Sequence, residues 1–410
     1  MGKYKVAIVG GGPAGMASAI AIGKILKPHE REIVLIEKTD LGEKLLLTGG
    51  GRSNIANSRD IKEQLLKFNI SNKNFLKHSF YTFTNNDLLN IFKEKGLEFK
   101  QEQDGRYFPI NGDANSILKI LKGYLNELKI NVQLNSHVKS ITKENNEFNI
   151  NIKDKNNIKS LKVILSTGGI SYPKTGSTGE GYEIAKTLKH NISLIKPGLV
   201  SFKSNDKNLQ KLSGLRLRDV EVSFLGEKNR VRGDVLISHF GLSGPEILNL
   251  SNYYNENKAI SIDLIPDLTE EELNKKIIGD LSLKGKTLLK NYLKYYLRKR
   301  FIDYFLNVIE ISEDKKLSNL SKSEKRKIIN NLKNLTINLN GVFSRKSAMI
   351  TCGGVKTDEI NPKTMESNII PGLFFAGELL EPCGLTGGYN LQMAFSTGFL
   401  AGKSIAESIK

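Results

Sequence analysis

The chain has 410 residues, 39% hydrophobic and 25% charged, which predicts a globular protein of two or three domains and excludes fibrous and membrane-embedded classes. Its net charge of +18 indicates either a polyanionic partner, nucleic acid above all, or only a chain rich in Lys, Asn and Ile. The two cysteines, Cys352 and Cys383, predict neither a disulfide framework nor a metal site. Because the chain has neither a secretory signal after Met1 nor an apolar run of transmembrane length, we expect a cytoplasmic protein without a membrane partner.

The first forty residues read as a strand, a glycine turn, a helix and a second strand. Apolar runs predict strands at 6–9 and 33–36, and small residues predict a helix over about 16–26. The turn at 10–15 has the spacing Gly-x-Gly-x-x-Gly, and Glu37 ends the second strand. This order of elements is typical of a dinucleotide-binding βαβ unit.

Each residue type in that turn has a physical reason. Gly10 makes the tight turn, Gly12 lets the backbone approach a pyrophosphate, and Gly15 allows the helix to pack close to the strand. The helix N-terminus then favours the anion. Glu37 is placed to accept hydrogen bonds from a ribose, which suits FAD or NAD and disfavours a 2′-phosphate. The alternative is a chance glycine turn.

The rest of the chain predicts a dinucleotide domain interrupted by an insertion. Alternating strands end in the apolar run 163–165, a strand-rich region follows, and a capping signal at Thr269 opens a helical region. From Leu339 strands and glycine loops return, and a last helix begins near Asn390. The fold class is therefore α/β, a split Rossmann-like two-dinucleotide-fold domain with an inserted β-rich domain and a helical subdomain. The predicted parts are 1–192, an insertion at 193–338 (β-rich 193–266, helical and basic 267–338), and 339–410.

Three later glycine-containing turns favour FAD over NAD. Thr167, Gly168 and Gly169 follow a strand, as in the second glycine turn of flavoproteins. Residues 372–378 form a strand that runs into an acidic turn, and residues 387–391 open the last helix. The N-terminus of that helix can stabilise an anionic reduced flavin ring. Each turn alone reads equally well as a loop, and all three in this order predict FAD.

The insertion concentrates the positive charge. Residues 275–334 carry 16 Lys or Arg and 6 Asp or Glu, and residues 290–305 interleave cations with aromatic side chains. Such a surface can pair phosphates and stack bases. The alternative is that the aromatic residues anchor a helix in the core while lysines surround it. The aromatic residues in question are Tyr292, Tyr296 and Phe301, and the predicted RNA-binding residues are Lys294, Arg298, Lys299 and Arg300.

Several longer segments resemble one bacterial flavoprotein family. They are EKLLLTGGGRSNIAN (43–57), GRYFP (105–109), TGGISYPKTGSTGEGY (167–182), SHFGLSGP (238–245), GGV (353–355), KTMES (363–367), GLFFAGE (372–378) and TGGYNLQ (386–392). The family is the BaiN/RdsA type, also called YhiN-like, whose members are described as aminoacetone oxidases, bile-acid reductases and ribosomal RNA dihydrouridine synthases. The segments span the chain, so the resemblance is specific.

The resemblance implies a split FAD domain with an inserted β-rich domain, and a set of residues around the flavin. Two positions depart from the family: Ser53 stands where many relatives have Cys, and Glu381 to Gly384 replace an Asp-Val-Asp-Gly stretch. The second departure puts the substrate in doubt. The resemblance also implies that Asn57 lies beside the flavin. The predicted cofactor-binding residues are Gly10, Gly12, Pro13, Ala14, Gly15, Glu37, Lys38, Lys44, Thr48, Gly49, Gly50, Gly51, Arg52, Asn54, Val138, Thr167, Gly168, Gly169, Gly377, Glu378, Gly388, Tyr389, Asn390 and Leu391.

The resemblance implies NAD(P)H-driven reduction by FAD and leaves two enzymatic functions open, and a non-enzymatic function stands as a third alternative. In the first, hydride passes from the flavin to C6 of a uracil in large-subunit ribosomal RNA, C5 is protonated, and dihydrouridine results. Such a base must be exposed or flipped. In the second, the substrate is a small ketone, amine or steroid. In the third, the protein is a non-catalytic, flavin-bearing RNA-binding factor.

Three residues are candidates for catalysis, each with a structural alternative. Cys383 lies near the last glycine turn, and an unactivated thiol, with a pKa of about 8.5, can donate a proton at neutral pH. His239 can face the ring or cap its own loop. Arg106 can bind a substrate phosphate or carboxylate, or stabilise its own turn.

Overall fold

Two compact units make up the computed structural model, which describes residues 2–69, 72, 74–256 and 258–410. Unit 1 comprises Met1–Gly198 and Ala348–Lys410, and unit 2 comprises Leu199–Ser347. Unit 2 thus starts and ends later than the predicted insertion at 193–338. The shift at the start arises because Lys196–Gly198 pairs with Ile350–Cys352, a strand of unit 1.

The helices and strands are numbered in chain order. The helices are α1 Pro13–Ile25, α2 Ile61–Leu65, α3 Lys77–Thr82, α4 Asn85–Lys93, α5 Ala114–Glu127, α6 Glu180–Thr187, α7 Lys207–Gln210, α8 Pro245–Ser251, α9 Glu270–Leu283, α10 Leu289–Leu293, α11 Lys299–Ile309, α12 Lys322–Lys333 and α13 Tyr389–Ile409. The strands are β1 Gly2–Val9, β2 Ile33–Ile36, β3 Ala56–Asn57, β4 Phe68–Asn69, β5 Phe99–Gln101, β6 Arg106–Pro109, β7 Asn131–Gln133, β8 Val138–Glu144, β9 Glu147–Ile152, β10 Ile158–Leu165, β11 Lys196–Gly198, β12 Phe202–Lys203, β13 Arg216–Phe224, β14 Arg230–Ser238, β15 Gly241–Ser243, β16 Ala259–Asp263, β17 Leu335–Asn338, β18 Ile350–Cys352, β19 Leu373–Phe375 and β20 Cys383–Gly384.

A parallel sheet forms the centre of unit 1. Its order is β7-β2-β1-β10, and β19 pairs with the second half of β10 in parallel. The first half of β10 pairs instead with β9, which continues antiparallel to β8. The apolar residues of β1, β2 and β10 are buried, as expected for parallel strands in a sheet that is covered on both faces. The predicted first strand, helix and second strand are confirmed as β1, α1 and β2.

Helices from the two ends of the chain pack directly on each other. Small residues make this close approach possible: a Cβ on Gly398 of α13 would lie 2.2 Å from the Ala14 carbonyl oxygen, and one on Gly402 would lie 2.4 Å from that of Ser18. The Ser18 hydroxyl donates to the Gly398 carbonyl at 2.8 Å. This contact brings the start of α13, at the opposite end of the sequence, into the same layer as α1.

Unit 2 consists of an antiparallel sheet and helices that share one hydrophobic core. The sheet order is β12-β15-β14-β13-β16-β17. The helical region begins at Thr269, whose capping box with Glu272 confirms the predicted start. Tyr292 and Phe301 are 1% and 0% exposed and lie in the core, which confirms the alternative that these aromatic residues anchor helices. The predicted fold class is confirmed for the chain.

None of the helices in the described ranges combines the length and the apolar character that crossing a bilayer requires. Within the same ranges, no group of three or more His, Cys, Asp or Glu side chains is placed to hold a metal ion.

Candidate functional site

A cleft in unit 1 lies where four adjacent parallel strands end. Gly10, Glu37, Ser166 and Gly377 line it, and they follow β1, β2, β10 and β19. The cleft contains about 910 Å³ of empty space, part of it open to solvent. In open α/β sheets, ligands bind outside the carboxyl ends of the strands. The position of the cleft therefore suits a bound dinucleotide.

The glycines of the first turn have the three environments that a phosphate-binding turn needs. Gly10 has φ of +106°, and a Cβ there would lie 2.5 Å from the Ser166 carbonyl oxygen. A Cβ on Gly15 would lie 1.9 Å from the Gly10 carbonyl oxygen, so only glycine lets α1 pack this close to β1. A Cβ on Gly12 would instead meet no atom within 4 Å, and Gly12 lines the cleft. Since Pro13 and Ala14 also line it, the N-terminus of α1 faces the cleft.

Glu37 closes one end of this turn. Its Oε2 accepts a hydrogen bond from the Gly11 N–H at 2.6 Å, and its Oε1 accepts from the Thr39 N–H at 2.9 Å. Two backbone donors thus hold an acidic side chain at the cleft wall. A carboxylate so held is ready to accept hydrogen bonds from a ribose.

An ion pair forms another part of the wall. Lys44 Nζ pairs with Glu378 and also donates to the Ser171 hydroxyl, while Glu378 Oε1 accepts from the Thr351 N–H at 2.7 Å. The side chains of Lys44 and Glu378 are only 20% and 19% exposed. Beside them, the buried Thr167 hydroxyl has no hydrogen-bond partner among the described residues and lines the cleft.

A glycine with positive φ and two asparagines shape the start of α13. Gly388 has φ of +93°, and a Cβ there would lie 2.6 Å from the Ala56 carbonyl oxygen. Oriented to satisfy both ends of its amide, Asn54 accepts from the Gly388 N–H at 3.0 Å and donates to Ala56 at 3.2 Å. Asn57 Nδ2 donates to the Gly387 carbonyl at 3.0 Å. Segment 54–57 therefore fixes where the last helix begins.

The first turn of α13 contributes two cleft residues. Asn390 and Leu391 line the cleft, and the Asn390 amide also bonds both backbone groups of Gly384, at 2.8 and 3.0 Å. Tyr389 is buried, and burial raises its phenol pKa. The predicted cofactor residues that line the cleft are Gly10, Gly12, Pro13, Ala14, Glu37, Lys44, Thr48, Thr167, Gly168, Gly377, Glu378, Asn390 and Leu391.

Comparison with known proteins identifies the family. The family described as HI0933-like protein Rossmann domain matches residues 4–404. The chain belongs to the HI0933-like family. A protein of Haemophilus influenzae named ribosomal RNA dihydrouridine synthase is 30% identical over 405 residues, which cover 97% of this chain and 98% of the relative. A protein of Escherichia coli with the same name is 29% identical over 407 residues, covering 99% and 98%.

A further relative and a solved structure have names that refer to other reactions. A protein of Clostridium scindens named 3-dehydro-bile acid delta(4,6)-reductase is 27% identical over 412 residues, covering 98% of this chain and 99% of its own. The solved structure of a 3-ketosteroid-delta4-(5alpha)-dehydrogenase from Rhodococcus jostii has a TM-score of 0.50 and 14% identity, covering 99% and 97%. That likeness shows the fold alone. The predicted family is confirmed, and this HI0933-like chain belongs to a family of flavin-dependent oxidoreductases.

Other predicted cofactor residues of the HI0933-like chain do not line the cleft. Lys38 pairs with Glu180 at 2.7 Å, Val138 is buried at the start of β8, and a Cβ on Gly169 would lie 2.1 Å from the Thr351 hydroxyl. The remaining members of this group are Gly15, Gly49, Gly50, Gly51, Arg52, Asn54, Gly388 and Tyr389.

Arg52 and Arg106 share one carboxylate and one aromatic ring. Arg52 lies over the Phe108 ring at 4.0 Å and pairs with Glu102 at 3.0 Å. Arg106 pairs with Glu102 at 2.9 Å and with Asp104 at 2.6 Å. These bonds favour the alternative in which Arg106 stabilises its own turn.

Two expectations about the cysteines are wrong in this structure. Cys352 and Cys383 are joined in a disulfide, with their Cα atoms 5.1 Å apart. Cys383 therefore has no free thiol in this form and cannot serve as the proton donor. Sequence spacing did not reveal the pair because 31 residues separate the two positions, and only the packing of β18 beside β20 brings them together.

His239 lies in unit 2, is exposed, and its ring packs against Phe240 at 5.0 Å.

Sequence reasoning also missed part of the cleft wall. Most of the missed residues lie in three short segments, at 40–45, 175–177 and 349–350. Glu43, Leu45 and residues 175–177 fall inside the family-like stretches 43–57 and 167–182, and that resemblance was the signal that could have identified them. The missed lining residues are Asp40, Gly42, Glu43, Leu45, Ser166, Thr175, Gly176, Ser177, Met349, Ile350 and Ala394.

Proposed function

We propose that the chain binds FAD in the unit 1 cleft and uses it, with NAD(P)H as electron donor, to reduce a uridine of large-subunit ribosomal RNA to dihydrouridine. The observation that carries the FAD part is the open space in front of Gly12. That space lies between the N-terminus of α1 and the acidic end of β2, where a pyrophosphate and a ribose have complementary partners.

The residues present fit such a cofactor on three counts. Backbone N–H groups at the start of α1 attract phosphate oxygens, and Glu37 accepts from ribose hydroxyls. Thr167 and Thr48 add polar residues to the lining. Lys44, held by Glu378, adds a cation to a wall that also contains the carboxylates of Glu37, Asp40, Glu43 and Glu378.

Bound FAD, once reduced, would supply hydride to the substrate. The chain's own contribution is to orient the cofactor and to hold charge. The start of α13 carries the partial positive charge of a helix N-terminus, which stabilises negative charge placed near it. Asn54 and Asn57 keep that N-terminus in position.

The ribosomal RNA substrate is supported by two independent features. Two relatives at 30% and 29% identity carry the name ribosomal RNA dihydrouridine synthase. In unit 2, Lys294, Arg298, Lys299 and Arg300 are exposed, as is 69% of Tyr295. Cations beside an exposed aromatic ring suit phosphates and bases of RNA.

The cofactor and the RNA substrate are tested separately. Purified protein should be yellow, or become so with FAD, and NADPH or NADH should bleach it. A colourless protein that stays so after reconstitution refutes the FAD proposal. Deletion of the gene should remove one dihydrouridine from large-subunit RNA, and the wild-type gene, but not its Gly12→Ala variant, should restore it. An unchanged modification map refutes the RNA substrate.

A small ketone, amine or steroid is the second candidate, favoured by the 27% identical bile-acid reductase relative. It predicts that the NAD(P)H-reduced protein is reoxidised by a ketosteroid panel and not by ribosomal RNA. A non-catalytic RNA-binding factor predicts reoxidation by neither.

A further inference from the structure

The structure brings the chain's two cysteines into contact, although their positions in the sequence do not indicate that they pair. Cys352 and Cys383 are the only cysteines among 410 residues. They form a disulfide and are 3% and 2% exposed. Two isolated cysteines that come together in a buried contact form a dithiol–disulfide pair, which is a site with its own two-electron chemistry.

Cys352 lies on a strand that contributes to one wall of the cleft. It ends β18, and Ile350 at the start of the same strand lines the cleft. Between them, Thr351 donates its N–H to Glu378 at 2.7 Å, and its hydroxyl accepts from the Ile170 N–H at 2.8 Å. The residue next to Cys352 thus contacts both the ion pair and the turn after β10.

Cys383 lies further along the C-terminal part of unit 1, shortly before α13. It begins β20, pairs with Asn69 of β4, and precedes Gly384. Both backbone groups of Gly384 are bonded by the Asn390 amide, and Asn390 lines the cleft at the start of α13. The disulfide thus ties the strand that carries Ile350 to the loop that positions Asn390.

We propose that Cys352 and Cys383 form a reversible redox site that controls how tightly the cleft retains its flavin. The disulfide form holds β18 and β20 together and retains FAD, and the dithiol form releases it faster. This inference rests on the proposed FAD binding. A covalent link that preorganises two walls of a binding site lowers the ordering cost of binding.

The oxidant in this scheme is a hydroperoxide, small enough to reach a buried sulfur when the segment opens locally. One thiolate is oxidised to a sulfenic acid as the peroxide O–O bond breaks and water or an alcohol leaves. The second thiol then attacks that sulfur, the S–S bond forms, and water leaves. Reduction by a small dithiol reverses the change in two exchange steps, so that two electrons and two protons return to the cysteines.

The test compares holoprotein treated with hydrogen peroxide and with dithiothreitol. Alkylation after denaturation, followed by intact mass, should find no free thiols in the first sample and two in the second. Dilution of each sample, with flavin fluorescence as the readout, should show FAD release about tenfold faster from the dithiol form. The Cys352→Ser/Cys383→Ser variant should release FAD as fast as the dithiol form and should ignore both reagents.

Each other outcome counts against a specific claim. Equal release rates from the two forms overturn the inference, and so do two free thiols that persist in peroxide. A variant that still responds to dithiothreitol overturns it as well, because the reagent then acts elsewhere. Protein that binds no FAD in either state overturns this inference together with the proposed cofactor, whereas yellow protein with redox-insensitive release overturns the inference alone. Thermal melting of the variant shows that it is folded.

Discussion

Gly12 and Gly15 lie three residues apart in one turn, and the structure predicts that methyl groups on them have opposite consequences. A Cβ on Gly12 meets nothing within 4 Å and points into the cleft, whereas a Cβ on Gly15 overlaps the Gly10 carbonyl oxygen at 1.9 Å. Gly12→Ala should therefore affect the ligand and Gly15→Ala should affect the fold. The two variants serve as matched controls for each other.

The magnitudes follow from the geometry. Gly12 has φ of −75° and ψ of −175°, which any residue adopts, so Gly12→Ala should cost the apoprotein less than about 1 kcal/mol through its poorer N-cap. Its methyl group occupies the space a pyrophosphate needs, and we expect FAD affinity to fall at least about tenfold, or roughly 1.4 kcal/mol. In Gly15→Ala, α1 must move by about 1 Å to reach a tolerable contact distance. Overpacking of that kind costs roughly 1–3 kcal/mol.

The assay pairs thermal melting of the two apoproteins with FAD titration followed by flavin fluorescence. We expect Gly12→Ala to melt close to wild type and to bind FAD weakly, and Gly15→Ala to melt several degrees lower. Wild-type FAD affinity in Gly12→Ala would show that the pyrophosphate lies elsewhere. An apoprotein of Gly15→Ala as stable as wild type would show that α1 is not held against β1 as described.

Three further predictions concern other parts of the chain. Glu37→Gln should weaken FAD binding by roughly 1.5–3 kcal/mol, measured by the same titration, because it loses a charged acceptor; unchanged affinity would remove Glu37 from the site. Burial lowers the pKa of His190, so the unfolded state takes up more protons below about pH 6.5 and the free energy of unfolding should fall there; His190→Gln should flatten this slope in urea melts at pH 5 to 8, and an identical slope would contradict it. Reversal of Lys294, Arg298 and Arg300 to Glu should reduce the salt dependence of RNA binding by about 2 in log–log slope, and an unchanged slope would exclude this surface.

Local patterns in the sequence were sufficient to predict the strands and the helix around the first glycine turn. Residues 33–36 form a strand as predicted, and the helix that starts at Pro13 follows the glycine spacing directly. The capping signal at Thr269 also marks a real helix start. Such features depend on neighbours within four residues, which the sequence displays.

Features that depend on contacts between segments distant in the sequence could not be predicted from local patterns. The disulfide requires β18 and β20 to pack side by side, and neither strand exceeds three residues. Arg106 was ambiguous because its carboxylate partners, Glu102 and Asp104, take their positions only when β5 and β6 pair. The orphaned Thr167 hydroxyl is visible only once its surroundings are packed.

The packing of the chain's two ends explains why a split domain forms one site. The cleft needs the starts of α1 and α13 together, yet more than 350 residues separate them. Gly398 and Gly402 remove the side chains that would keep the helices apart, and the Ser18 hydroxyl bonds across the seam at 2.8 Å. Because Gly388 and Ala14 lie toward the N-terminal ends of these packed helices, both dipoles act on one ligand-sized space.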